Sequence, residues 1–295
     1  MRALVKFGKV LGSFLAFLAV ALCVFLIFVQ PWDRQWGARG ADSERAMPGD
    51  DLVSKPNHVT TRAITIKVPP EDIWPWLVQM GNHRGGLYSY DVLDRMAGIL
   101  DGPSADTILP EFQSLNPGDV IPMGYGPGWP VYSVEKERSL VLDIKAKGSH
   151  VSWSFDLRPL TETSTRLILR VRSQIKTRAL TAPLISILDI AEFPMVERML
   201  TGIHDRAERN PRDPNAEKIE LAAWALTILI GLASAIIAFF VLRWMRYFVI
   251  ACVAFVAVIA MAFLQPGAIV CAAAAVVFLI WFLASFSGRK RAKLI

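Results

Sequence analysis

Charged side chains and histidines disappear from this chain over four stretches, Val10 to Val29, Leu221 to Leu242, Tyr247 to Leu264 and Ala268 to Phe286. Each is close to the roughly 20 apolar residues that a helix needs to cross a bilayer core, so four transmembrane helices are expected. Their interiors hold no Asp, Glu, Lys, Arg or His. Proton and ion paths through membranes use such groups, which argues against a pump or an ion-coupled transporter.

Between the first and second stretches the pattern changes period. Ile64, Ile66 and Val68 alternate with Thr65 and Lys67, the mark of a strand with one dry face, and Pro69 and Pro70 end it. A helix is predicted next, because Pro70 suits its first turn, Glu71 and Asp72 complement its N-terminal end, and Ile73, Trp76, Leu77 and Met80 share one face before Gly81. The polar turn NHRGGLYSYD leads into a second helix at about Ser89 to Ala97, and then a long loop, Asp101 to Pro117, of the kind that is functional or mobile.

From Asp119 onward the chain reads as strands. Val151, Trp153, Phe155 and Leu157 face one way and Ser152, Ser154, Asp156 and Arg158 the other, while Leu167, Leu169, Val171 and Ile175 oppose Arg166, Arg170, Arg172 and Lys176. That is the pattern of antiparallel neighbours with one buried and one solvated face. Two helices are expected to cover the buried face, the one after the first strand and one from Pro194 to Arg209 that follows a break in Leu184 to Phe193. The predicted class is therefore α+β, an antiparallel sheet covered by helices, with four transmembrane helices besides.

The strand, helix and polar turn of Ile64 to Asp91, together with FPMVERMLTGIHDRAER near the end of the domain, resemble the two ends of the START-like, helix-grip superfamily, also called SRPBCC or polyketide cyclase/dehydrase-like, and its membrane-anchored bacterial members in particular. The resemblance runs from about Thr60 to Arg209. It implies an antiparallel sheet wrapped on a C-terminal helix and a hydrophobic cavity, and it names no ligand. The expected organisation is an N-terminal anchor at 1–29, a linker with partial order at 30–58, the START-like domain at 59–210, a second linker at 211–220, three spans at 221–286 and a basic tail at 287–295.

The net charge of +6 dissolves when it is divided by region. Residues 30 to 220 hold 23 of the 32 basic residues and all 26 acidic ones. The remaining bases, Arg2, Lys6, Lys9, Arg243, Arg246, Arg289, Lys290, Arg291 and Lys293, all fall on one side of a four-span topology. That is the positive-inside arrangement, with both termini cytoplasmic in a bacterial inner membrane and the large domain outside. Nucleic acid is not an expected partner of an acidic domain. The first span is read as an anchor and not a cleaved signal, since it is too long and lacks a small-x-small cleavage site. Cys23, Cys252 and Cys271 all lie in spans, leaving no disulfide framework.

His58, His83, His150 and His204 lie far apart without metal-ligand spacing, so no metal or other cofactor is expected. The candidate ligand-binding residues are Trp76, Met80, Arg84, Tyr88, Tyr90, Trp129, Trp153, Phe155, Met195 and Met199. Their rings and thioethers suit a cavity for a lipid or other hydrophobic small molecule between the strand face of Trp153 and Phe155 and the helix face of Met195 and Met199. The same residues suit an ordinary core or a bilayer-facing rim equally well. Arg84 offers a fork for a carboxylate or phosphate, or a salt bridge to Asp91 or Glu111 that holds the turn. No specific catalytic pattern maps onto these positions, so binding is the leading reading, with a cyclase/dehydrase-like enzyme and an assembly protein with a filled core as the alternatives.

Overall fold

The computed structural model describes residues 2–124, 126–146, 148–176, 182–210 and 212–287. In chain order its helices are α1 (Arg2–Val24), α2 (Gln30–Arg34), α3 (Gly40–Glu44), α4 (Pro70–Val78), α5 (Asp91–Met96), α6 (Ala182–Ala207), α7 (Pro214–Phe240), α8 (Trp244–Leu264) and α9 (Ala268–Ser287). Contacts divide the chain into two compact units, Val29–Arg212 and Met1–Phe28 with Asp213–Ile295.

In Val29–Arg212, β1 (His58–Ile66), β2 (Val120–Ile121), β3 (Trp129–Glu135), β4 (Ser139–Ala146), β5 (Ser149–Thr161) and β6 (Ser164–Ile175) form one antiparallel sheet in the order β1-β6-β5-β4-β3-β2. Strands β2 to β6 follow one another as neighbours, and β1 then pairs with β6, which brings the two ends of the domain together. The register places Leu140, Phe155 and Leu169 side by side across three strands, and Leu142, Trp153 and Val171 likewise. Because side chains alternate along each strand, this alignment makes one continuous apolar face. It packs with Ile73, Trp76, Leu77 and Met80 around α4 and with Val196, Met199, Leu200 and Ile203 of α6 in a single core. The fold is α+β, a helix-grip arrangement in which the sheet holds the C-terminal helix of the domain.

Helix α6 differs from the expected element. It runs unbroken from Ala182 to Ala207, with Pro194 inside it instead of in its first turn. A proline there removes one helical hydrogen bond. Around the proline, Phe193 and Val196 are buried, and that contact with the sheet side outweighs the lost bond.

The opposite face of the sheet is where the pattern misled. Ser152, Ser154, Arg166 and Arg170 sit on a face read as solvated, yet all four are buried. The cover is the stretch 34–53, read above as a linker with partial order. Arg170 spends all five of its guanidinium N–H groups there or on its own sheet. Its Nη1 donates to Asp50 Oδ2 at 2.7 Å and Arg45 O at 3.0 Å, and its Nη2 to Asp42 O at 2.7 Å and Ser43 O at 3.0 Å. Its Nε donates to Thr61 Oγ1 at 3.1 Å. Arg166 pairs with Asp42 at 2.7 Å and donates to the Gly37 carbonyl. Arg172 reaches the Val53 carbonyl. Met47 and Val53 fill the spaces between these anchors. Gly49 lies so close that a Cβ there would fall 2.5 Å from Val141 and 2.8 Å from the Ser154 hydroxyl. A stretch with too few apolar residues to show periodicity is thus ordered by charged anchors that the sheet supplies.

Among the described residues four helices are long and apolar enough to cross a membrane, at Ala3–Arg34, Asn215–Phe240, Trp244–Leu264 and Ala268–Phe286, and the last three belong wholly to the second unit. Helix α7 packs on both α8 and α9 through three layers. Ala223, Met261, Cys271 and Ala275 make the first, Ile230, Ile250, Ala254 and Phe278 the second, and Ala238 and Tyr247 the third, where Val10 and Phe14 of α1 join. At that third layer Lys6 Nζ donates to Phe239 O at 2.8 Å, and Arg246 Nη1 donates to Ser285 O at 2.7 Å. Both cations meet the negative ends of helices, where orphan carbonyls accept them.

If the strap at 34–53 is held as described, Arg170→Ala removes the donor to the Asp42, Ser43 and Arg45 carbonyls, leaves Asp50 with only Arg172 and the Met47 N–H, and lowers the unfolding free energy of the domain by about 3–5 kcal/mol. Denaturant unfolding followed by tryptophan fluorescence measures it. A change within about 0.5 kcal/mol, the size of an ordinary surface substitution, would return this face to solvent.

Candidate functional site

The ten candidate residues fall into three settings. Trp76, Met80, Tyr88, Trp153, Phe155 and Met199 share one core between the sheet, α4 and α6, and Phe155 at its centre has no exposure to solvent. Trp76 meets Tyr88 edge to face with ring centres 5.8 Å apart. Trp129 is only half-buried. Its ring centre lies 4.3 Å from that of Trp153, and with Met123 and Val151 it forms a less buried margin of the same core.

The second setting is the contact between α6 and the turn that precedes α5. Tyr90 is fully buried beneath the guanidinium of Arg198, 4.6 Å from its ring centre, and the Ser89 hydroxyl lies 3.7 Å from the Met195 sulfur. Tyr88 adopts a left-handed backbone, with φ of +58°. It is held there by its N–H donating to Ser104 Oγ at 2.9 Å and by its hydroxyl donating to Trp76 O at 3.0 Å. Ser104 in turn donates to Asp91 Oδ1 at 2.6 Å, so the long loop is pinned to the start of α5. Burial pushes the Tyr88 phenol well above the usual tyrosine range. Gly202 of α6 touches this turn directly, since a Cβ there would fall 2.1 Å from Tyr88 O. A larger residue at 202 therefore disrupts packing and does not probe an empty space.

Arg84 is the third setting. Its Nη2 donates to Val78 O at 2.8 Å and Phe112 O at 3.3 Å, its Nε donates to Met80 O at 3.1 Å, and its plane lies over the Phe112 ring. The guanidinium therefore caps the end of α4 and clamps the long loop. The salt bridge to Asp91 or Glu111 weighed from the sequence is not what it makes.

Two residues absent from the sequence candidates stand out inside the grip. Arg62 pairs with Leu169 in the β1–β6 register, so it belongs to the apolar face, and it is 1% exposed. Its Nε donates to Asp33 O at 2.9 Å, and its guanidinium lies 5.2 Å from the centre of the Phe193 ring. Glu197 of α6 is 5% exposed, and among the described residues its Oε2 has no hydrogen-bond partner. Desolvation pushes its carboxyl up to about 8, against the opposing pull of Arg62 and Arg198. One signal was available. Arg62 continues the dry-face positions Ile64 and Ile66 two residues earlier, so a charged residue stands where the alternation calls for an apolar one. Nothing comparable marks Glu197, whose burial depends on which face of α6 meets the sheet. Among the described residues no group of three or more His, Cys, Asp or Glu side chains is placed to hold a metal ion.

No family model matches this chain, and no curated protein does. Solved structures give only distant likenesses. The Zhui aromatase/cyclase from Streptomyces sp. R1128 is 16% identical, over 52% of this chain and 96% of its own, with a TM-score of 0.32. The Aha1 dimer from Colwellia psychrerythraea is 14% identical over 52% and 98%, with a TM-score of 0.31. A conserved protein of unknown function from Enterococcus faecalis is 14% identical over 59% and 88%, with a TM-score of 0.29. At these scores the fold rests on the sheet order and the gripped helix described above.

Glu197 makes the domain sensitive to pH. Its folded-state carboxyl keeps its proton to about 8, whereas its ordinary value is 4.5. The stabilising contribution of the protonated form is complete below about 4.5 and is lost as pH rises through about 8. Glu197→Gln keeps the shape and cannot ionise, so it flattens the fall in denaturant midpoint across that window. A wild-type midpoint that does not fall over the same range would contradict the buried, proton-holding carboxyl.

Proposed function

We propose that this chain is a multi-pass protein of a bacterial inner membrane whose domain of residues 29–212 binds a lipid or other hydrophobic small molecule between the sheet and α6. The observation that carries the reading is the graded burial of one aromatic face. Phe155 is closed off, Trp153 is nearly so, and Trp129 with Met123 and Val151 leaves the same apolar surface half open. Apolar rings and flexible thioethers at such a margin accept a hydrocarbon ligand by removing it from water. The Glu197 carboxyl offers its polar end a partner deeper in the grip. The resemblance to START-like proteins agrees with this reading.

Glu197 also favours a second reading, a cyclase-like enzyme, because a carboxyl that titrates near neutral pH suits general acid or base work. Product analysis with hydrophobic polyketide-like substrates separates it from binding alone.

The placement proposed for the domain is extracytoplasmic, with both termini in the cytoplasm. It is supported by Lys6 and Arg246 sitting at one end of the helical unit, where the start of α1, the turn between α7 and α8 and the end of α9 converge. A reporter active only outside the cytoplasm is expected to work when fused near Pro214 and to fail after Lys293. The opposite pattern would invert the topology.

For the binding site, native mass spectrometry of residues 30–212 is expected to show a bound apolar molecule or uptake of a lipophilic fluorescent probe. Trp129→Ala is expected to weaken that uptake several-fold while the domain stays folded, since this ring is only half-buried. A folded wild-type domain that neither carries nor takes up an apolar molecule would leave the filled core as the better reading.

A further inference from the structure

The helical unit contains a groove of about 470 Å³ lined by α1, α7 and α8. Its floor is made of small residues. Gly231 lets α7 approach α8 so closely that an added Cβ would fall 3.1 Å from the Ala254 Cβ, and Ala235 and Ala251 extend the thin wall. Its side is held open by rings. Phe14 stands edge-on to Phe248 at 4.9 Å, and Phe17 stands edge-on to Phe255 at 5.7 Å. The helix carrying these rings buries only 6% of its most apolar window, so apart from Lys6, Val10 and its phenylalanine rings α1 packs loosely on its neighbours.

We infer that this groove holds one acyl chain of a bilayer phospholipid as a bound ligand. Three observations select that occupant. The lining is apolar apart from Thr227 and Cys252, and the Thr227 hydroxyl spends its one donor on Ala223 O at 2.8 Å, so the groove offers no charged anchor for a headgroup. The groove follows α7 from Thr227 to Ala235, about 12 Å of helix rise, so it runs along the helix axis as an extended acyl chain does in a bilayer. It also lies along helices apolar enough to cross a membrane, where the surrounding solvent is hydrocarbon, and leaving it empty would forfeit dispersion contacts along its whole lining. The inference rests on placing these helices in a bilayer. Failure of that placement would appear separately, as release of the protein from membranes by alkaline extraction.

The test uses the full chain purified in detergent. Native mass spectrometry is expected to retain one phospholipid per chain after loosely held lipid has been stripped. Ala235→Phe, which fills the groove, is expected to lose it. Ile236→Phe, at an exposed neighbour outside the lining, is expected to keep it. A second measurement needs no variant. Cys252 lines the groove and is partly buried, whereas Cys23 is exposed. Added phospholipid is expected to slow alkylation of Cys252 by N-ethylmaleimide several-fold and to leave Cys23 unchanged. If Ala235→Phe does not fold, this comparison decides alone. Cys252 and Cys23 slowing in parallel, a wild-type chain that retains only detergent, or a dimer in which a second copy covers Cys252 would each overturn the inference.

Discussion

A guanidinium taken out of water needs every donor occupied, and the domain is built around meeting that condition for Arg170. Its five N–H groups are shared among Thr61, Asp50 and three main-chain carbonyls of the 42–45 segment. The carbonyls belong to chain that has little apolar content of its own, so the arginine satisfies the segment as much as the segment satisfies the arginine. Remove the cover and Arg166, Arg170, Ser152 and Ser154 face solvent on a bare sheet. Remove the arginines and 34–53 keeps only the burial of Met47 and Val53 and the Ala63 N–H to Trp36 O hydrogen bond. The third layer of the domain depends chiefly on this mutual arrangement, and through it residues 34–53 are tied to β6, the strand that also holds β1.

On the other face the constraint is steric. Helix α6 reaches the turn before α5 at Gly202, where there is no room for a Cβ beside Tyr88 O. That contact, with Arg198 over Tyr90 and Arg206 over Tyr88, sets the depth at which the helix lies in the sheet. Depth then decides burial. At this setting Phe193, Met199 and Ile203 are sunk in the core, and Glu197 is carried in with them toward Arg62. A buried carboxyl with an open oxygen costs stability unless it holds its proton, so its retention there is a candidate mark of function.

The helical unit answers to a different solvent. In hydrocarbon, the solvent for which helices this apolar are composed, apolar side chains gain nothing by burial, and small residues permit the close packing of α7 on α8. Rings at Phe14 and Phe17 have the reverse effect on α1, keeping it at a distance. The basic residues at the third layer meet helix C-terminal carbonyls instead of carboxylates, which suits an end of the bundle that lies at a membrane surface.

The sequence by itself determined what depends on local period. The four long apolar helices, the alternation of β4, β5 and β6, the face of α4 and its stop before Gly81 are all legible because a helix or strand repeats its environment at a fixed interval. The aromatic face of Trp153 and Phe155 is legible for the same reason. Only the tertiary structure decided the rest. Arg166 and Arg170 alternate as solvent-facing residues do, and their burial follows from a segment some 120 residues earlier lying across them, a distance no period spans. The linker reading of 30–58 had the same cause, since its order comes from partners on β6 and not from its own composition. Pro194 reads locally as a helix start, but flanking contacts with the sheet carry the helix through it. Arg84 offered two plausible charged partners in sequence, and the fold brought three carbonyls to it instead. Glu197 shows the limit most clearly. Its chemistry is set by desolvation and by two arginines, and a side chain's share of solvent is a property of the assembled layers, not of the residues beside it in the chain.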